Sequence, residues 1–487
     1  MLFYLISAVL ISLITILYGF IKYRFTYWER KQIPHKKPKF PKGNMTGNFL
    51  IDLKNLYANL KNEKNQFFGA YFSLAPVAII TDLNLIRLIL IKDFEYFSNR
   101  GMYHNEKYDP LSANLVTIDA DKWKNQRTKI SPTFSSGKMK FMFPTIKAIG
   151  QRLTAHIEKF EEKDLDIYEI ASRYTIDVIG AVAFGIECDS LSNPNSDFYK
   201  YGIKGNEKRE GRNPLKMMLK IQAPNLARYL GIKDTPNDVI EFFVQTVDNT
   251  INYRKKNNVR RNDFMDIMIE MKNQSKLSFN EIIANCYMFF SVGYDTSSIT
   301  LAFCIYELVM NSEIQDKIRK EIRSVLDKHN GDLSWEALME MPYLEQVLKE
   351  TLRKYPVLAM LGRVATKNYK IPNSNYIIEK GIPVIIPIYE IHHDENIYPN
   401  SKVFDPERFS DINVEKRHPM AFLGFGDGPR NCIGMRFAKL QTKIALISIL
   451  NSYKLFKSDK LQIPLIYNTK RFLLSPQTKV WIKFKKL

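Results

Sequence analysis

Twenty residues without a charge, Leu2 to Ile21, open this chain and limit what it can become more than any other feature. As a helix rising about 1.5 Å per residue, such a run spans roughly 30 Å, the thickness of a bilayer's hydrocarbon core. A cleaved signal would begin with basic residues, carry a shorter apolar stretch and end at small side chains. Here the start is uncharged and the run passes into Tyr23, Phe25, Tyr27 and Trp28. Residues 2–21 are therefore expected to form a retained transmembrane anchor. Eight Lys or Arg and one acid, Glu29, lie between Lys22 and Lys42. By the positive-inside rule this places the following chain in the cytoplasm, with Tyr27 and Trp28 at the lipid interface. Pro34, Pro38, Pro41 and Gly43 break helix, so residues 22–43 are expected to be a basic, stiff, proline-containing linker.

Residues 44–487 hold ample length for a large core. Apolar content of 45% and charged content of 25% are ordinary for a globular protein. Apolar residues recur at helical spacing in Asp82–Ile91, Lys122–Thr128, Ile146–Phe160, Asp238–Arg254 and Ile314–Asp327. Extended apolar pieces stand at Phe68–Ile80 and Ile382–Ile386, and Lys204–Pro236 reads as loops and short helices. The pattern is a mainly α body with a small β-rich part. The net charge of +20 favours acidic partners. No nucleic-acid module accompanies it, so nucleic acid is not expected among them. Four cysteines, Cys188, Cys286, Cys304 and Cys432, are too few and too dispersed for a disulfide framework and fit a reducing compartment.

The longest predicted helix starts at Ser278, where Glu281 gives capping-box spacing, and runs to about Met310. Its middle, Gly293-Tyr-Asp295-Thr296-Ser297-Ser298, is polar inside an apolar run. Acid, hydroxyl and glycine cost helix propensity and are expensive to bury without partners. Two readings stand side by side: a kink with back-bonded Ser and Thr, or a place where the helix opens beside a substrate and delivers protons.

Only one cysteine has unusual neighbours: Phe425-Gly426-Asp427-Gly428-Pro429-Arg430-Asn431-Cys432-Ile433-Gly434. Cys432 follows a Gly/Pro-rich turn and opens a helical pattern. A helix N-terminus favours thiolate through its dipole and free N–H groups. Gly428 and Gly434 would let the backbone approach a bulky planar partner, and Arg430 would neutralise an acidic group of that partner. A thiolate is the ligand that pushes electron density onto haem iron for O–O cleavage. A second cysteine at zinc spacing, a Cys-x-x-Cys redox pair and a covalent haem signature are all missing.

The segment resembles the Phe-x-x-Gly-x-Arg-x-Cys-x-Gly loop of the cytochrome P-450 family. The resemblance continues in the family's order: Trp123-Lys-Asn-Gln-Arg127, Asp295-Thr296, Glu350-Thr-Leu-Arg353 and Pro406-Glu-Arg408-Phe409. Ser131–Gly137 and Asp177–Gly185 are most similar to microsomal, insect-type detoxification members. The resemblance implies a single large haem-thiolate catalytic domain over 44–487 behind the anchor. It implies haem b ligated by the Cys432 thiolate, with Phe425, Gly428 and Gly434 in the binding loop. Arg127, Arg430, Arg363 and Arg100 would pair with the two propionates, and Trp123 would donate its N–H to one. Thr296 and Asp295 would be the catalytic pair that hands on protons, and Glu350, Arg353 and Arg408 a structural charge network.

The implied activity is an NADPH- and O₂-dependent monooxygenase acting on a lipophilic small molecule. NADPH would serve through a membrane-bound flavoprotein reductase, and the protein would lie in the endoplasmic reticulum membrane, facing the cytoplasm. Substrate contacts would come from Met102–Leu115, Lys204–Pro236, Val357–Leu361 and Phe472–Leu474. Two alternatives are a haem-thiolate isomerase or dehydratase acting on a peroxide and a non-enzymatic haem-binding membrane protein; retention of Asp295-Thr296 argues against both. One departure stands out: Val292 replaces the Ala or Gly usual before the glycine of the central helix, which would narrow the space over the iron.

Overall fold

A computed structural model describes residues 1–61, 66–160, 163–207, 213–261, 263–469 and 471–487. The Lys204–Pro236 region forms three short helices, Asp197–Glu207, Pro214–Gln222 and Pro224–Tyr229; its residues 208–212 lie outside the described residues.

The core is organised round one helix, Phe279–Met310, which is continuous through its polar middle. Its start is fixed by the expected capping box: Ser278 Oγ accepts the Glu281 N–H at 3.3 Å, and Glu281 returns an acceptor to the Ser278 N–H at 2.8 Å. The hydroxyls in the polar stretch back-bond as the kink reading required, Thr296 to the Val292 carbonyl at 2.7 Å and Ser298 to that of Asp295 at 2.9 Å, without breaking the helix. Packed against it are helix Ile167–Ile179 and helix Met435–Ser452, the latter following Cys432. Cys188, Cys286 and Cys304 are buried, as small apolar residues should be.

The β part comprises sheets of four, three and two strands among the described residues, and the four-stranded one positions the site. A hairpin of Phe67–Phe72 and Ala75–Ile80 joins Pro383–Ile386 in parallel, and Leu361–Val364 pairs antiparallel with Pro383–Ile386 at the edge. This register sets Arg363 opposite Val384.

The N-terminus departs from the sequence reading. The apolar helix extends to Phe25, beyond the expected Ile21, and none of its residues is buried. Trp28, expected at a lipid interface, is fully buried instead. Its indole N–H donates to the Ala70 carbonyl at 2.9 Å, and its ring lies so close over Gly69 that a Cβ there would meet Cγ at 2.5 Å. Tyr27 donates its hydroxyl proton to Glu379 at 2.7 Å. Residues 22–43 also bond to the hairpin: Lys36 N–H donates to Gly69 O at 3.1 Å, Gly69 N–H to Pro34 O at 2.9 Å and Ser73 N–H to Lys42 O at 3.1 Å. A large aromatic ring gains about 1.5–3 kcal/mol on full burial, so Trp28 docks on the sheet rather than at a membrane surface.

Candidate functional site

The cysteine loop is held by its own backbone. Cys432 N–H donates to Phe425 O at 2.9 Å and Asn431 N–H to Gly428 O at 3.0 Å, closing the turn below the helix that begins at Met435. Gly428 has φ of +72°, and a Cβ there would lie 1.9 Å from Leu90 O. Its backbone conformation and this close approach of the chain to itself each require glycine there. Gly434 keeps open space, its nearest neighbour being Phe134 Cε1 at 3.9 Å from a built Cβ.

Cys432 is the one cysteine that is not buried. Burial of the surrounding site pushes its thiol up in pKa, against the pull of the Gly434 N–H, Arg127 and Arg100. A cation bonded to the sulfur would supply what the protein groups do not.

Four arginines converge round this loop. Arg127 donates to Asn431 O and to Asn431 Oδ1, each at 2.9 Å. Arg100 reaches Arg430 O at 3.0 Å and Val116 O at 3.2 Å. Arg430 donates to Ile118 O at 2.7 Å and its guanidinium lies 4.5 Å over the Trp123 ring. Arg363, on the edge strand, donates to its neighbour Gly362 O at 2.8 Å. Among the described residues none of the four has a carboxylate within salt-bridge distance. Burial pushes Arg363 and Arg430 down to about 9 and Arg100 down to about 10; repulsion between them adds to this. Arg363 Nε and both Nε and Nη1 of Arg430 are buried without a partner among the described residues.

Buried cations with orphaned donors are costly unless an anion meets them. The residues present thus fit a group that carries acidic substituents and sits over Cys432. Trp123 is buried beside them, stacked under Arg430.

Behind the loop lies the Glu-Arg network. Glu350 and Arg353 share one face of helix Pro342–Lys354, are fully buried, and meet at 2.7 and 2.8 Å as a bidentate pair. Asp405 N–H donates to Glu350 at 2.9 Å, and Arg408 Nε stands 3.6 Å from the same carboxylate. Sequence reasoning missed the element that joins this network to the cysteine loop: His392. Arg353 donates to His392 O at 2.9 Å. The His392 ring stacks on Phe422, with centroids 5.5 Å apart and an interplanar angle of 9°. Its Nε2 accepts the Leu423 N–H, two residues before Phe425.

The central helix faces the loop. Ile433 packs with Met288 in one small apolar cluster, and the Phe289 and Phe437 rings lie 5.4 Å apart. Between Ile282 and Leu308 every residue is buried except Val292, Gly293 and Thr296. Met288, Val292 and Thr296 are spaced four apart, so they form one stripe rising roughly 12 Å along the helix from the contact with Ile433. Asp295 is not on that open stripe. It is buried and bonded to Arg471 at 2.7 Å and to Tyr168 at 3.2 Å. Thr296 thus lies two turns along one open stripe from Met288, which shares an apolar cluster with Trp123 and with Ile433 of the cysteine loop, while Asp295 turns toward neighbouring elements.

The sequence model of the family "Cytochrome P450" matches residues 43–484. The chain belongs to the cytochrome P450 family. "Probable cytochrome P450 6a20" of Drosophila melanogaster is 43% identical over 98% of this chain and 98% of its own. "Cytochrome P450 6A1" of Musca domestica is 42% identical over 95% of this chain and 94% of its own. As a cytochrome P450 the protein is a haem-thiolate monooxygenase whose cofactor is haem with a cysteine thiolate ligand, and its electrons derive from NADPH through a reductase. The N-terminal apolar helix fits a membrane anchor. The other long apolar helix, Phe279–Met310, is the central helix and is mostly buried within the fold.

Proposed function

We propose that the protein uses NADPH and O₂ to insert one oxygen atom into a lipophilic small molecule, a xenobiotic or an endogenous lipid, terpenoid or steroid, with the Cys432 thiolate holding the haem. The observation that carries this reading is the convergence of Arg100, Arg127, Arg363 and Arg430 on the cysteine loop with no carboxylate of the described chain to meet them. Two propionates of haem would satisfy them. When bound, haem supplies the activation of O₂, one atom going to substrate and the other leaving as water.

The chain's own residues bind, orient and move protons. The Arg430 guanidinium, over Trp123, and the Arg363 side chain, on its strand edge, would each donate from a fixed position. Thr296 Oγ gives its proton to Val292 O and keeps its lone pairs for the pocket. Rotation of the hydroxyl about its Cβ–Oγ bond would turn the donor toward a group bound over the sulfur, and rotation back would restore its hydrogen bond to the Val292 carbonyl. Glu350, Arg353 and Arg408, through His392, hold the loop in place.

The substrate reading rests on exposed apolar side chains at Met102, Val292, Leu358 and Phe472, on the central helix and in segments that the family resemblance assigns to substrate. The basic chain suits an acidic, membrane-bound flavoprotein reductase. The anchor, with Lys22 and Arg24 in its last turn, suits insertion in the endoplasmic reticulum membrane with the catalytic part in the cytoplasm.

Reconstitution with NADPH, a flavoprotein reductase and isotopically labelled O₂, across a panel of lipophilic compounds, tests the proposal. A product carrying one labelled oxygen, formed only with NADPH, is expected. A product formed from a peroxide without NADPH would overturn it in favour of an isomerase or dehydratase.

A further inference from the structure

Asp295 is the most heavily bonded carboxylate near the pocket, and its partners come from three elements distant in sequence. Arg471 Nη2 donates to Oδ2 at 2.7 Å, and Arg471 Nη1 donates to the Tyr168 hydroxyl at 2.5 Å. Tyr168 in turn donates to Asp295 Oδ1 at 3.2 Å. Asn206, near the end of helix Asp197–Glu207, donates to Oδ2 at 3.0 Å and to the Tyr294 hydroxyl at 2.7 Å, while its own carbonyl accepts from Ser291 at 3.0 Å. The Asp295 side chain is 4% exposed and that of Arg471 15%. Burial works against the charge of Arg471, but Asp295 and Tyr168 outweigh it and raise its pKa.

Arg471 immediately precedes Phe472, which is exposed, and Leu474, whose N–H donates to Val357 O at 2.9 Å. Val357 leads into the strand whose Leu361 lies 3.6 Å from a Cβ built on Gly426 in the cysteine loop. The loop after Arg471 is thus bonded on one side to the segment that leads to the cysteine loop, and Arg471 is bonded to the central helix on the other.

We propose that Arg471 is a positioning residue for the monooxygenase reaction: it fixes the Asp295 carboxylate away from the open face that carries Thr296 and ties the Phe472–Leu474 loop to the central helix. Two consequences follow. Asp295 serves as an ion-paired anchor rather than as a free proton relay beside Thr296. A bulky substrate that displaced the loop would also strain the same ion pair, which links substrate size to the placing of the helix that carries Thr296. This inference rests on the monooxygenase reading above, and its test keeps the two separable.

The test uses the haem-loaded, full-length protein with Arg471→Gln, Arg471→Lys and Asp295→Asn. The first readout is independent of turnover: difference infrared spectra of the carboxyl band against pH. Without the cation, a carboxylate buried against Tyr168, Tyr294 and Asn206 takes up a proton more readily. Arg471→Gln should therefore show a protonated carboxyl near neutral pH that is missing from the parent and vanishes when Asp295→Asn is added. The second readout is product formed per NADPH consumed, as a function of pH. It should fall by roughly tenfold in Arg471→Gln, less than loss of a proton-transfer group outright, and become pH-dependent where the parent is flat. Arg471→Lys, which keeps the charge, should recover most of it.

An Arg471→Gln protein with no new carboxyl band and with the parental ratio and pH profile would overturn the role of Arg471. So would a loss that Arg471→Lys does not rescue, since that marks a packing defect. Absence of labelled product from the parent itself would instead overturn the monooxygenase reading, and the infrared result would still decide the ion pair.

Discussion

His392 Nε2 accepts the backbone N–H of Leu423 at 2.9 Å, so the ring that follows the buried Glu350–Arg353 pair also carries the approach to the cysteine loop. Its Nδ1 lies 3.2 Å from the Arg353 carbonyl. An acceptor at Nε2 and a carbonyl at Nδ1 require the neutral ring with its proton on Nδ1. Burial, helped by His393 and Arg353, holds the His392 pKa well below the ordinary range.

The neutral state of His392 has a pH consequence. Its pKa is depressed in the folded protein, so below about 6.5 the unfolded chain binds more protons and stability falls with pH. His393, pushed down to about 4 chiefly by burial, adds to the loss between about 6.5 and 4. Each steepens the decline by up to about 1.4 kcal/mol per pH unit. Unfolding midpoints measured from pH 7.5 to 5 should drop, and His392→Gln should flatten the curve. An unchanged slope in that variant would refute the assignment.

Removing one member of the buried pair is expected to be severe. Glu350→Gln leaves Arg353 charged and buried, at a cost of about 3–5 kcal/mol, and should yield protein that neither holds haem nor melts cooperatively. Arg408→Ala, with its guanidinium 3.6 Å from Glu350 and its side chain 11% exposed, should cost much less. Equal unfolding midpoints for the two variants would contradict the network as drawn.

The arginine cluster predicts opposite effects in two forms of the protein. Without haem, Arg363→Met removes a repelled, buried cation and should raise the unfolding midpoint. With haem, the same change deletes a charge-assisted hydrogen bond worth about 1.5–3 kcal/mol, so haem should dissociate roughly tenfold to a hundredfold faster. Haem retention equal to the parent would show that Arg363 does not meet the cofactor.

Val292 is 41% exposed, and between Ile282 and Leu308 only Gly293 and its stripe neighbour Thr296 are likewise not buried. Val292→Ala should widen the pocket and raise turnover of bulky substrates over slim ones. A difference of one or two carbons in an apolar pocket is worth about 1–3 kcal/mol. A substrate preference unmoved by the change would place Val292 outside the pocket.

What was legible from sequence was whatever the chain writes locally. The capping box at Ser278 and Glu281, the Cys432 loop and the three-residue spacing of Glu350 and Arg353 each hold within a few residues, and the structure keeps all three. The central helix and the small sheet followed from periodicity. Contacts across hundreds of residues left no local mark. His392 opens the polar stretch that follows Ile391 and has no motif, and Arg471 reads as one more cation in a chain of 71 basic residues. The single hint was its place beside Phe472, in a segment assigned to substrate. Trp28 misled because an aromatic after an apolar helix suits a lipid interface, and only the bare Gly69 in a distant strand makes room for it.

The central claim is that Cys432 is the haem ligand, and the absorption spectrum of the reduced, carbon monoxide-bound protein tests it most directly. The parent should show the thiolate-haem signature. Cys432→Ala should lose it, while Ala at Cys188, Cys286 or Cys304 should keep it, since those three thiols are buried in the core. Survival of the signature in Cys432→Ala would contradict the account.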